Sequence, residues 1–439
     1  MSGPPAYDEV IGLTQDLIRI DTTNGNETAA ARHLADFLTG ASVECDLVTR
    51  DPARANLVAR IPGSDPAAPS LAFVGHLDVV PADPRDWSHP PFAAEIDDDG
   101  FLFGRGAVDM KNEVAARAVA MAHLARSDFA PRGDLWLIAV ADEEDGSADV
   151  GMRWLLEARP DIRPDLAINE GGGKRITLVD GRVLASLAVG EKGTQPVRLV
   201  ALGEAGHASV PSLGDNAVPH LGRLLTKIGQ GLARPDPEHL DLALLDQTLA
   251  VLVPEPGLTL EERLARAAGL HPLLAHLLPP LAGTTMAPTM LQGSLARNVM
   301  PARAWADLDC RILPGSTRAD VEREVRSRLG EDHFELEWPE ELIPGSSSPA
   351  AGLLPDTIAA CLADLDPEAA LMPLLCTGYT DSSFLRLGAG TAAYGFSPFL
   401  STSAEVLAAG YHNADERVHV DDLVLAARFH VALAKRVLG

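Results

Sequence analysis

Positive charge is what this sequence has least of. Lys and Arg number 36 against 62 Asp and Glu, and the formal net charge is −26. Only five of the basic residues are lysine, and no Lys/Arg cluster interrupts the acidic background. That excludes a nucleic-acid partner, because phosphate contacts need local positive charge. Aromatic residues make up 5% of the chain and cysteines number four. Cys45, Cys310, Cys361 and Cys376 form no C-x-x-C pair, so free thiols in a reducing cytosol are expected. No apolar run reaches the roughly 18 residues of a membrane-spanning helix, and no membrane partner is expected. The opening Met1-Ser-Gly-Pro-Pro-Ala-Tyr-Asp-Glu has neither a basic n-region nor an apolar h-region, which predicts a cytoplasmic location without a secretory signal. A G-x-S-x-G nucleophile elbow is also missing, which sets aside a serine α/β-hydrolase. So is G-x-x-x-x-G-K-[ST], which sets aside a phosphate loop.

What is present is ordinary globular material: 439 residues, 46% apolar, enough for two or three domains of about 150 residues each. The first third alternates helical spacing (Asp8–Ile20, Glu27–Leu38, Asn112–Leu124, Ser147–Glu157) with short apolar runs that read as buried strands (Asn56–Ile61, Leu71–Val74, Asp134–Val140, Leu166–Ile168). Such alternation predicts a layered α/β sheet. The pattern changes near Gly190. Residues 194–202, Trp305–Ile312 and Phe334–Trp338 read as strands, and Asn216–Ile228 and Arg318–Leu329 as helices. This is a smaller α+β unit inserted into the first, with a Leu-, Ala- and Pro-rich stretch at 231–282 expected to form short broken helices. The α/β pattern resumes with helix Leu354–Leu365, strand Met372–Leu375, helix Ser382–Leu387, strand Thr391–Tyr394 and helix Asp421–Val437. Pro344 to Pro349 forms a return hinge.

The chemistry-bearing residues sit at strand ends. His76 follows Leu71–Val74 in Gly75-His76-Leu-Asp78, a spacing that lets one ring nitrogen meet a ligand while Asp78 holds the other. Asp109 lies between a Gly-rich turn and the Ala-rich helix, where a helix N-cap is the simpler alternative. Asp142-Glu143-Glu144-Asp145 follows another buried strand, where open α/β sheets place their sites. Four adjacent carboxylates repel one another unless a cation compensates them. Glu170 closes Leu166–Ile168, and His412 lies in a loop before the last helix. Two histidines with three or more carboxylates and no thiolate suit zinc, or cobalt or manganese, and two such metals form a known hydrolytic arrangement.

These stretches resemble the M20 family of metallopeptidases, the co-catalytic zinc hydrolases that include aminoacylase-1, glutamate carboxypeptidase G2, succinyl-diaminopimelate desuccinylase and dipeptidases. The resemblance is carried by Gly75-His76-Leu-Asp78-Val-Val-Pro, Gly104-Arg-Gly-Ala-Val-Asp109-Met-Lys and Asp142-Glu143-Glu144. Gly206-His207-Ala-Ser-Val-Pro, Arg297-Asn298-Val-Met-Pro, Asp309-Cys-Arg311, Thr380-Asp381-Ser and His412-Asn-Ala-Asp-Glu complete it. The resemblance implies a zinc-peptidase-like three-layer α/β/α catalytic domain (1–191 and 342–439). It also implies an inserted α+β, ferredoxin-like lid or dimerisation domain (192–341), here enlarged at about 231–282. It implies two zinc ions, with cobalt or manganese as substitutes. Asp109 would bridge them, His76 and Glu170 would complete one site, and Glu144 and His412 the other. Asp78 would orient His76, and Glu143 would be the general base acting on a metal-bridging water. His207 would stabilise the oxyanion, reaching a partner's site in members that dimerise. Asn298, Arg311 and Gly378 would contact the substrate; a strand-end ion pair is the simpler reading of Arg311.

The implied activity is hydrolysis of an amide bond in a small substrate with a free carboxylate, with a dipeptidase or carboxypeptidase placed first. An N-acyl-amino-acid amidohydrolase is the alternative, and a non-catalytic metal-binding relative a more distant one. The enlarged lid leaves the homodimer open, because in some relatives a larger lid takes the partner's place. Glu rather than Asp at 170 matches the aminoacylase-like branch.

Overall fold

Runs of consecutive apolar residues become strands covered on both faces. Leu71–His76, Leu135–Val140 and Leu166–Asn169 lie side by side and parallel, the first two buried along their whole length. The computed structural model describes residue 5 and residues 7–236, 238–239 and 242–439. Met1, Ser2, Gly3, Pro4 and Ala6 of the opening segment, and Pro237, Leu240 and Asp241 of the expected helical stretch, lie outside the described residues. Two compact units emerge: Met1–Gly190 with Ser348–Leu374 and Thr380–Gly439, and Glu191–Ser347 with Leu375–Tyr379.

The sheet of the first unit runs Glu44–Val48, Asn56–Ile61, Leu135–Val140, Leu71–His76, Leu166–Asn169, Ala392–Gly395, Val183–Glu191. Successive side chains of one strand point to opposite faces, so each face needs its own helices. On one face Phe73 meets His430 edge-on at 5.1 Å, under helices Lys111–Ala125 and Val420–Leu438. On the other, Ala72, Val74 and Ile138 pack with Met152, Leu155 and Leu385. The architecture is the expected three-layer α/β/α. Lys111–Ala125 is buried almost all round, and its alanines allow that close packing. Gly75 allows it too: a Cβ there would stand 2.7 Å from Val114 Cγ2.

The second unit carries an antiparallel sheet in the order Thr285–Gln292, Arg303–Ile312, Val197–Leu202, Glu335–Glu337. Arg303–Ile312 alternates along its length. Ala304, Ala306, Leu308, Cys310 and Ile312 join a core with Leu221, Leu224, Val321 and Val325 of helices Ala217–Ile228 and Arg318–Leu329. Helices Leu242–Leu252, Leu260–Ala268 and Pro272–Leu277 fill the Pro-broken stretch. The buried Lys192 ammonium donates to the carbonyls of Pro280 and Gly283 at the exit of that stretch.

Some elements differ from expectation. The helix expected over Ser147–Glu157 begins only at Met152. The Asp142 carboxylate accepts the N–H groups of Ala148 and Val150 and so holds that stretch as a loop. Thr285–Gln292 was not expected as a strand, because Pro288 and its exposed residues hide the alternation. It is an edge strand with a register shift between Pro288 and Met290, where proline is tolerated. No helix among the described residues is long and apolar enough to cross a membrane. Phe73 is fully buried at the centre of the first unit. Replacing it with alanine is expected to cost about 3–5 kcal/mol, read as an earlier urea midpoint of the first unit's unfolding transition.

Candidate metal centre

The three parallel strands all deliver their C-terminal ends to one place, and that direction decides which side chains meet. His76 is the last residue of the central strand. Glu170 directly follows the strand on one side, and Glu143 and Glu144 follow the strand on the other. Asp109 arrives from the turn before helix Lys111–Ala125, and His412 from the loop after helix Ala404–Gly410.

Two groups of donors result. His76, Asp109 and Glu170 each place a ligand atom within 4.8 Å of the others, as do Asp109, Glu144 and His412. Asp109 is shared, and it divides its oxygens: Oδ1 lies 3.1 Å from His76 Nε2, and Oδ2 lies 3.3 Å from His412 Nε2. Glu170 Oε2 is 3.8 Å from His76 Nε2, and Glu144 Oε2 is 3.0 Å from His412 Nε2. Glu143 belongs to neither group, yet its Oε2 is 4.0 Å from His76 Nε2.

The parts around these donors explain their aim. His76 Nδ1 hydrogen-bonds the main-chain carbonyl of Asp78 at 3.0 Å, which leaves Nε2 facing the group. The Asp78 carboxylate has a different task. It accepts the N–H of Glu143 at 3.2 Å and of Glu144 at 3.0 Å, and so turns the acidic loop inward. Asp142, at φ 63°, is braced by Arg54, which also pairs with the buried Glu27. Glu416, which sequence reasoning assigned no role, organises the Asp109 turn. Fully buried, it accepts the N–H groups of Gly106, Val108 and Asp109 and pairs with Arg105 at 2.6 Å. It lies four residues after His412, so one short segment supplies a donor and the support of the shared aspartate. Asp381, part of the Thr380-Asp381-Ser motif, is buried, and burial with Asp78 and Glu170 nearby pushes its carboxyl well above the usual range.

The electrostatics show what is being compensated. Burial disfavours a charged His76, but hydrogen bonds to Asp109 and Glu170 carry its pKa well above the imidazole range. Burial likewise opposes ionisation of Asp109, and the two imidazoles win, holding its carboxyl well below the usual range. Hydrogen bonds to Asp109 and Glu144 push His412 up to about 10. Burial, with Glu170 nearby, pushes Glu143 well above the carboxylate range, and burial raises Glu170 and Asp381 too. Protonated imidazoles thus stand where cations would serve. The donor set fits a divalent metal pair: imidazole nitrogens and carboxylate oxygens in two groups sharing one aspartate. Glu144 Oε1, buried with no hydrogen-bond partner, is an acceptor that a cation would satisfy.

The remaining predicted site residues lie in the second unit. His207 and Asn298 are neighbours: strand Gly206–His207 pairs with Val299–Met300, and Ala208 N–H donates to the Asn298 carbonyl at 3.0 Å. His207 is exposed, and its Nδ1 contacts Ser209 Oγ at 2.7 Å and accepts from Ser209 N–H at 3.2 Å. Arg311 is not with them. It lies toward the other end of Arg303–Ile312, about 25 Å along an extended strand. Its fork is engaged by Asp309 at 2.7 and 3.0 Å, the strand-end ion pair. Gly378 faces open space, for a Cβ there would meet nothing within 4 Å. A third donor group, Glu238, His239 and Asp320, holds Arg323 already and lies apart from these residues in sequence.

Removing bound metal should make stability pH-dependent. A histidine whose folded pKa is about 10 against 6.5 unfolded binds its proton more tightly when folded. Its stabilisation is complete below pH 6.5 and lost as pH rises through 10. The chelated protein should therefore show a falling Tm from pH 6.5 to 10. Saturating zinc should raise the Tm and flatten that slope, as differential scanning fluorimetry would record.

Comparison with known proteins agrees with this geometry. A model of Peptidase family M20/M25/M40 matches residues 72–436. A probable succinyl-diaminopimelate desuccinylase of Staphylococcus epidermidis is 31% identical over 346 residues, covering 78% of this chain and 76% of that protein. An N-fatty-acyl-amino acid synthase/hydrolase of Mus musculus is 27% identical over 390 residues, covering 84% and 74%. An M20 family metallo-carboxypeptidase from Sulfolobus solfataricus shares the fold with a TM-score of 0.72 at 19% identity, over 98% of this chain and 99% of that one. With the matched region spanning most of the sequence and the donors of both groups inside it, the chain belongs to peptidase family M20/M25/M40, a family of metal-dependent amide-bond hydrolases.

Proposed function

We propose that the protein hydrolyses the amide bond of a small substrate bearing a free carboxylate, with two zinc ions held by His76, Asp109 and Glu170 and by Asp109, Glu144 and His412. The observation that carries this is the division of Asp109, one oxygen toward each group. N-acyl amino acids are the preferred class. Both sequence relatives are named for acyl-amide substrates, whereas the carboxypeptidase likeness, at 19% identity, speaks for fold alone. Dipeptides, placed first on the sequence, remain the comparison class of the assay.

When bound, the metals polarise the scissile carbonyl and make water acidic enough to attack at neutral pH. The chain's own groups do the rest. Glu143, buried beside the donors without belonging to either group, takes the proton from the attacking water and returns it to the leaving amine. Asp78 keeps Glu143 and Glu144 in register through their backbone N–H groups. His207, whose Nδ1 accepts from Ser209, presents a protonated Nε2 to the developing oxyanion. Arg311 and Asn298 recognise the substrate, with Gly378 leaving room for it. Arg311 must exchange Asp309 for the substrate carboxylate, and the bidentate geometry of that pair is what a carboxylate needs.

The second unit serves, in this reading, as lid and dimerisation domain. The separation of His207 and Asn298 from Arg311 supports a site completed by a partner chain. So do the exposed Met290, Leu291, Leu295 and Val299 on and beside the edge strand. The four free cysteines accord with a cytoplasmic location.

Glu143→Ala should lower kcat about 10²–10⁴-fold while zinc content stays at two per chain, measured on a panel of N-acyl amino acids and dipeptides. Chelator should abolish turnover and zinc restore it. A panel on which the zinc-loaded protein turns over nothing would leave the non-catalytic relative as the better reading. For the composite site, His207→Ala should lose about 10²–10³ in kcat. Mixing it with Glu143→Ala should restore about a quarter of wild-type activity, because half the dimers are hybrids with one intact site each. No recovery on mixing would place His207 in the service of its own chain.

A further inference from the structure

The backbone ladder between Leu71–His76 and Leu166–Asn169 pairs Leu71 with Leu166, Ala72 with Ala167 and Phe73 with Ile168, and stops there. Val74 and Asn169 come next, two residues before His76 and one before Glu170. The strand ends that carry these two donors run on past the last paired residues. A side chain spans them there. Arg117, in the helix that follows Asp109, is fully buried. Its Nη1 donates to the Val74 carbonyl, and its Nη2 donates to the Asn169 carbonyl at 2.9 Å and to Glu113 Oε2 at 2.5 Å. Its Nε donates to His430 Nε2 at 3.2 Å. His430 Nδ1–H in turn donates to the Ala426 carbonyl at 2.7 Å, which leaves the Nε2 lone pair for the arginine. All three guanidinium nitrogens are engaged, and the strand ends are linked through them to the last helix.

We infer that Arg117 is a positioning residue for the metal site of His76, Asp109 and Glu170, setting the gap between the two strand ends that carry His76 and Glu170. The inference rests on the metal reading proposed above. A planar fork with donors in fixed directions can hold two carbonyls beyond the end of a ladder; a lysine ammonium on a flexible stem cannot reproduce it. Glu113 balances the buried charge, so no uncompensated cation stands behind the metals. The site of Asp109, Glu144 and His412 has other supports. Its acidic loop is turned by Asp78, and its aspartate turn is held by Glu416. Loss of Arg117 should therefore tell the two sites apart, which general loosening of the fold would not.

The test is zinc binding by equilibrium dialysis with metal analysis, on full-length wild type, Arg117→Lys and the double variant Glu113→Gln/Arg117→Met. The double variant leaves no buried unpaired carboxylate, so a failure of Arg117→Lys to fold does not end the test. Wild type should bind two zinc ions per chain. Each variant should keep one at wild-type affinity and bind the other about 10–100-fold more weakly. Adding His412→Ala to Arg117→Lys should remove tight binding altogether, whereas adding His76→Ala should change little more. Equal weakening of both sites, or two ions at wild-type affinity in either variant, would overturn the role of Arg117. Wild type that binds no zinc would overturn the metal reading itself, a distinguishable failure.

Discussion

Asp109 is the constraint on which the centre turns. Its two oxygens face two different histidines, and each histidine brings one further carboxylate. No other described residue belongs to both donor groups. A carboxylate in that position cannot be placed by its own side chain alone. The turn behind it is fixed by Glu416, whose buried carboxylate gathers three backbone N–H groups and Arg105. Burial pushes Glu416 itself up to about 7, the cost of placing one more acid behind an acidic site. On the protein side Arg105, Arg54 and Arg117 pair with the acids around the centre, and in the proposed reading divalent metal would compensate the donors themselves.

The sheet supplies the rest. Three parallel neighbours end together, and parallel strands that end together present their following loops at one edge. His76 needs to be the last strand residue so that its Nδ1 can reach the Asp78 carbonyl while Nε2 faces inward. Glu143 and Glu144 need Asp78 to turn the loop after their strand. The same aspartate thus serves the histidine through its carbonyl and the acidic loop through its carboxylate. That division of work is invisible in a motif.

His76, Glu170 and the acidic loop of Glu143 and Glu144 were legible in the sequence because they end or follow apolar strands, whereas Asp109 and His412, on turns beside helices, drew their roles from the family resemblance. The apolar runs were readable as strands, and their final polar residues were the candidates. The layered α/β sheet followed from the same alternation, and its three-layer catalytic form from the family resemblance. What was not legible depends on distant partners. Glu416 looks like one more loop acid until Gly106, Val108 and Asp109 are seen around it. Arg117 looks like an exposed helix residue, because a wholly buried helix gives no polar face to contrast with it. Thr285–Gln292 escaped because Pro288 and an exposed edge erase the period of two. The late start of helix Met152–Ala158 followed from Asp142 capturing two N–H groups, a contact no propensity describes. His207 and Arg311 were singled out as parts of motifs, but their placement on different strands of the second unit needed the fold.

The most direct test of the shared aspartate is anomalous diffraction at the zinc edge from zinc-soaked crystals of the wild-type protein. The account predicts two peaks about 3.5–4 Å apart, one beside each oxygen of Asp109, with His76 and Glu170 near the first and Glu144 and His412 near the second. A single peak at full zinc saturation, or two peaks of which only one touches Asp109, would contradict it.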